Sequence, residues 1–105
     1  MFSGPSKDVV LQMARGVAAV AAQIRMLDTL NAGERATIEA KMRSEGAPTS
    51  IQELSRMAAS VVHQHNLGFL RRNQYLGAIE AHLTLMGFSR SDARFLKGQI
   101  ELLAS

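Results

Sequence analysis

Apolar residues near the start of the chain recur at alternating steps of four and three: Val10, Met13, Val17, Val20, Ile24 and Leu27. A stripe of that period lies on one side of a helix, and its seven-residue repeat is the seam of a helix packed lengthwise on another. Small residues fill the positions between: Ala14, Gly16, Ala18, Ala19, Ala21 and Ala22. So narrow a waist lets a neighbouring helix come close and predicts burial on more than one side. The pattern predicts a first helix from Lys7 to about Leu30, N-capped by Ser6 after a short flexible lead over residues 1–6.

Helical periodicity continues to the end of the chain. Asn31 and Glu34 have the spacing of a capping box and open a second helix, Ala32 to Ser44. It is the most polar segment, with Ile38, Met42 and Ala36 as its inward side, and it is expected on the surface. Gly46 and Pro48 end it. Ser50 and Glu53 form a second capping box, opening a helix to His65 with Ile51, Leu54, Ala58 and Val61 inward. Asn66-Leu67-Gly68 reads as a break, or as a bend in one continuous helix over residues 50–86. Beyond it the spacing predicts a helix from Phe69 to Met86, with Phe69, Leu76, Ile79, Leu83 and Met86 inward, stopped by Gly87. Ser89 and Asp92 cap the last helix, Phe88 and Ala93 occupy staple positions, and Ala93, Leu96, Ile100 and Leu103 form its seam. Gly77 and Gly98 fall inside helices, where each costs about 1 kcal/mol relative to alanine, so each predicts a closely approaching neighbour. The fold class is all-α: residues 1–105 form one compact single-domain bundle of about five helices with a long N-terminal one.

Composition narrows the chemistry. The chain of 105 residues is 47% hydrophobic and 20% charged, an ordinary globular balance. It has no cysteine, which removes disulfides, thiolate zinc sites and cysteine nucleophiles and fits a cytoplasmic setting. Twelve Lys and Arg against nine Asp and Glu give a net charge of +3, which permits a nucleic acid or an acidic protein as partner and demands neither. No apolar run approaches the roughly 20 residues of a membrane span. Lys7, Asp8 and Arg15 interrupt what would be the apolar region of a signal peptide, so none is expected.

The turn Leu85-Met86-Gly87-Phe88-Ser89-Arg90-Ser91-Asp92-Ala93 carries two resemblances. It resembles the Met-Gly-Phe loop of ubiquitin-associated-type three-helix domains, which implies a binding role for the aromatic after the glycine, here Phe88. It also resembles the turn of a DNA-binding helix-turn-helix, which implies a recognition helix opening at Ser89, although Leu83 and His82 depart from the small and apolar residues usual there. The plainer reading is a capped αα-hairpin. Arg90, Arg94 and Lys97 project from one stripe of the last helix, and Arg71 and Arg72 could join them, with Tyr75 available to stack on a base. A solvated face explains the same charges. His63 and His65 are two apart and diverge on a helix, and neither they nor His82 form a metal-ligating pair. There is no glycine-rich phosphate loop, no nucleophile elbow and no carboxylate pair placed for acid–base work.

The expectation is therefore a small non-enzymatic interaction module, an adaptor, regulator or chaperone-like protein, with no cofactor, metal or small-molecule substrate. It binds a protein partner, and it is expected to be a homodimer paired through Val10, Met13, Val17, Val20, Ile24 and Leu27. The same seam packed inside the chain's own bundle is the competing arrangement. The alternative function is a DNA-binding regulator with a helix-turn-helix-like unit at residues 76–104 and phosphate contacts from Arg71, Arg72, Arg90, Arg94 and Lys97.

Overall fold

The computed structural model describes residues 4–105, so residues 1–3 of the expected lead lie outside the described residues. The described residues form five helices and no strand: α1 (Lys7–Leu27), α2 (Ala32–Ser44), α3 (Ile51–Gln64), α4 (Phe69–Leu85) and α5 (Arg90–Ala104). Capping chemistry sets most of their starts. The Ser6 hydroxyl accepts the Val9 N–H at 3.4 Å. Asn31 and Glu34 make the full reciprocal box, Glu34 N–H to Asn31 Oδ1 at 2.8 Å and Asn31 N–H to Glu34 Oε1 at 3.2 Å. Ser89 accepts the Asp92 N–H at 3.0 Å. The box at Ser50 is displaced by one residue. Ser50 caps the Glu53 N–H, but the Glu53 carboxylate reaches past it to the N–H and hydroxyl of Thr49, both at 3.1 Å.

Three helices end in the same device. After α2, α3 and α4 one residue turns left-handed, Gly46 (φ 76°), Asn66 (φ 50°) and Gly87 (φ 93°). The next residue's N–H then bonds back five positions: Ala47 to Met42, Leu67 to Val62, and Phe88 to Leu83. This is the Schellman geometry; Met42, Val62, Leu67 and Leu83 beside these turns are buried, and Ala47 and Phe88 are half-buried. At Asn66 it separates α3 from α4 and excludes one bent helix. The first helix stops earlier than its periodicity predicts, at Leu27, because Asp28, Thr29 and Leu30 tighten into bonds three residues back to Arg25, Met26 and Leu27.

The lead residues Gly4 and Pro5 lie beside the Asn66–Arg71 segment at one end of the bundle. At the other end the Arg25 guanidinium donates to the Met86 carbonyl at 2.8 Å. Helices α1 and α4 therefore run parallel, and they share the most extensive helix–helix contact in the molecule. Helix α5 folds back on α4, α3 packs on α5, and α1 closes the ring against α3. The Tyr75 hydroxyl donates to the Ala58 carbonyl at 2.8 Å and ties α4 to α3 across the interior. Helix α2 stands outside this four-helix arrangement, and no other helix packs along it. The projecting α2 lengthens this compact all-α domain, whose extents are 52 × 29 × 22 Å with a radius of gyration of 14.2 Å.

The buried side of α1 is centred on its small residues. Val10, Ile24 and Leu27 are buried together with Ala14, Ala18 and Ala21, while Met13, Val17 and Val20 are half-buried against the same core. The alanines make a flat strip, and α4 brings the bulk: Tyr75, Leu76, Ile79 and Leu83 are all buried. Large side chains on one helix against small ones on the other allow a close lengthwise fit.

Several expected inward residues face out. Phe69 is 83% exposed, and Ile38, Met86 and Leu103 are also exposed. Each sits at a helix end or on α2, where the apolar rhythm runs past the last neighbour able to cover it. On α3 the buried side takes in Ser55, Ala59 and Val62, with Val61 at its edge. The Ser55 hydroxyl satisfies itself on the Ile51 carbonyl at 2.8 Å. Gly77 and Gly98 do not mark close approaches: a side chain at either would meet nothing within 4 Å. Nothing in the structure explains those two glycines.

Candidate interaction surface

Helix α2 is short, polar and almost without tertiary support, yet local contacts fix its position. The capping box at Asn31 sets its start. Arg35 then bridges backward to Asp28 at 3.0 Å and forward to Glu39 at 3.2 Å, and these two carboxylates raise the pKa of its guanidinium. Exposed ion pairs of this kind contribute little energy; the one to Asp28 ties the start of α2 to the end of α1. Met42 is the helix's one buried residue, with Ala47 half-buried beside it.

Between the end of α1 and α2 lies an open groove of about 760 Å³. Met26, Leu27 and Leu30 form one wall, and Ile38, Met42 and Ala47 contribute the apolar part of the other. Met26 is 62% exposed and Ile38 41%. Glu34, Lys41 and Glu45 lie along α2 at the same groove. An apolar floor with charges at its edge is the form in which an amphipathic helix is received. Helical spacing puts Ile38 and Met42 on one inward face. Met42 does turn inward, while Ile38 is left at the groove, because the end of α1 is too short to cover both.

The residues expected to form a basic surface are not gathered into one. Arg94 and Lys97 both reach the Glu80 carboxylate, each at 3.5 Å, so one acidic residue offsets two of the charges. Arg90 opens α5 beside the turn, whereas Arg71 and Arg72 lie in the first turn of α4. With α5 folded back on α4, those two groups sit at opposite ends of the hairpin, on the order of 20 Å apart. Arg71 is also engaged locally, donating to the Gln74 amide oxygen at 2.8 Å. Tyr75 is not a stacking platform. It is 0% exposed, and burial raises the pKa of its hydroxyl well above the usual tyrosine value.

The turn at Gly87 is likewise committed to the fold. Phe88 packs against the core, and the Arg25 guanidinium lies over its ring, 3.9 Å from the centroid. The same guanidinium caps the Met86 carbonyl, placing a cation at the negative end of the α4 dipole. Sequence patterns do not reveal this contact between residues 61 apart; an arginine in the last turn of α1 is its only trace. The aromatic that the loop resemblance assigned to binding is therefore largely taken up by the chain itself.

The six seam residues of α1 belong to the bundle's own core, buried or half-buried. Among the described residues no three His, Asp or Glu side chains converge as metal ligands, and no helix is long and apolar enough to cross a membrane. No protein-family model matches the chain, and neither curated proteins nor solved structures include a match to it.

Proposed function

We propose that this chain is a non-enzymatic helical interaction module that receives a helix of a protein partner in the groove between the end of α1 and α2. The observation that carries this reading is the groove itself: an apolar floor from Met26, Leu30, Ile38 and Met42, edged by Glu34, Lys41 and Glu45, on an arm that no other helix covers. Affinity comes from burying Met26 and Ile38, which stand exposed in the free protein, and orientation comes from the edge charges. The bundle of α1, α3, α4 and α5 acts as the rigid base that presents the arm.

The test is affinity capture from extracts of the source cells with wild type and with Met26→Glu as bait. Met26 is exposed, so the variant keeps its helicity and thermal midpoint, which circular dichroism checks. A protein, another chain or a second copy of this one, that is enriched by wild type and lost with Met26→Glu supports the reading. The same retained proteins with both baits would end it.

A further inference from the structure

The edge charges of the groove narrow the choice of occupant. Glu34, Ile38, Lys41 and Glu45 fall at steps of four, three and four along α2 and share one stripe of its surface, and all four line the groove. A second α2 laid parallel would set Glu34 against Glu34 and Lys41 against Lys41, like charge on like. Laid antiparallel about an axis between Thr37 and Ile38, every residue meets the one whose number completes the same sum. Glu34 then faces Lys41 of the other copy, and Lys41 faces its Glu34. Ile38 meets Thr37 at the centre, and Met42 lies across from Gly33, whose missing side chain leaves room near the groove. Only Asn31 Oδ1, at 3.6 Å, borders the place a side chain at Gly33 would take. One register thus matches Glu34 with Lys41, Ile38 with Thr37 and Met42 with Gly33, and leaves Glu45 at the end of the pair, across from Leu30. A surface complementary to itself under a two-fold rotation is what an isologous dimer requires.

We infer that the groove is occupied in solution by α2 of a second copy of this chain, in an antiparallel pair centred between Thr37 and Ile38. This rests on the reading of the groove as a helix-docking site and names its occupant. Each copy lays its exposed Ile38 against Thr37 and Ile38 of the other at the axis, and the Glu45 end of its arm toward the other's Leu30, so both grooves are covered at once. The rest of α2 does not compete for these charges. Arg35 is held by Asp28 and Glu39 of its own chain, and Glu34 keeps one carboxylate oxygen on its cap.

Sedimentation velocity over a concentration series tests the pairing. Wild type is expected to sediment as a dimer in the micromolar range. Ile38→Glu, a substitution at an exposed residue, is expected to leave the helicity intact and weaken the dimer by about 100-fold or more, because two charges would be buried at the axis. Lys41→Glu sets like charges opposite each other twice and is expected to weaken it by about tenfold at low salt. The decisive arm mixes Lys41→Glu with Glu34→Lys. Each alone is weakened. In the mixture one copy carries a carboxylate at both positions and the other an ammonium at both. The proposed register then sets opposite charges face to face twice, so a heterodimer forms. Glu34→Lys also loses half of its capping box, and circular dichroism checks that α2 persists in it. A wild-type monomer at high micromolar concentration overturns the inference, as does a dimer indifferent to Ile38→Glu or a mixture that fails to pair. A monomeric chain whose capture of another protein still depends on Met26 would overturn the self-pairing alone and leave the docking reading standing.

Discussion

The α1–α4 contact and the α2 arm use similar residues in opposite ways. In the first, an alanine strip receives a row of large side chains, and Ala14, Ala18, Ala21, Tyr75, Leu76, Ile79 and Leu83 are all buried. In the second, a helix of comparable regularity buries Met42 alone and is steered by caps and exposed ion pairs. The contrast separates what holds the molecule together from what it offers to others. Burial supplies most folding energy, so the bundle carries the stability. The arm is ordered by local chemistry that contributes little, and its apolar residues are left at the surface where a partner's burial can use them.

Four measurements would break or sharpen that contrast. The sharpest uses one residue type in both regions. Ile79→Ala, at a fully buried site, is expected to cost about 2–5 kcal/mol by denaturant titration. Ile38→Ala, at 41% exposure, should stay within about 1 kcal/mol of wild type. Similar losses at the two sites would mean the arm belongs to the core. Next, Ala18→Leu adds bulk at a fully buried alanine of α1 and is expected to destabilise by about 1–3 kcal/mol. The same change at Ala36, exposed on α2, should leave stability nearly unchanged. A tolerated leucine at position 18 would contradict the close α1–α4 fit.

A smaller loss is expected from Tyr75→Phe. It keeps the ring in place and removes only the bond to the Ala58 carbonyl, so about 1 kcal/mol should go, with the helicity unchanged. The smallest effect is local and lies at the joint between arm and bundle. Glu53 accepts from the Thr49 N–H and hydroxyl, with a further contribution from the Ser50 hydroxyl, and these bonds hold its pKa below the ordinary glutamate value. A carboxylate lowered on folding supports the native state above its unfolded pKa. It withdraws that support as pH falls through the folded one. Amide exchange at Thr49 should therefore speed up, relative to neighbouring amides, as the solution is acidified below the usual glutamate range. In Glu53→Gln that extra acid response should disappear. An unchanged response would place the protection of Thr49 elsewhere.

Much of the fold is legible in the sequence. The starts of α1, α2, α3 and α5 follow from Ser6, Asn31, Ser50 and Ser89, because capping is a contact between residues three apart and needs nothing from the rest of the chain. Gly46 and Gly87 mark stops for the same reason. Asn66 was readable only as a break or a bend, since an asparagine tolerates the left-handed turn without demanding it. The groove was not legible. Periodicity says that Ile38 and Met42 share a side of α2, but it does not say how far α1 extends to cover them. The five basic residues were legible as charges, and their grouping was not. Glu80 lies between Arg94 and Lys97 only because α5 folds back on α4.

Local chemistry written in the sequence determined where helices begin and end, which side of each is apolar, and that a small-waisted first helix would be packed against others. The tertiary structure decided which helix fills that waist, that Tyr75 turns inward and Phe69 outward, and that α2 stands apart with its groove open. The reason is one of range. Caps, turns and helical period act between residues a few positions apart, so the order of the chain contains them. Coverage depends on which distant surfaces meet, and only the assembled bundle settles that.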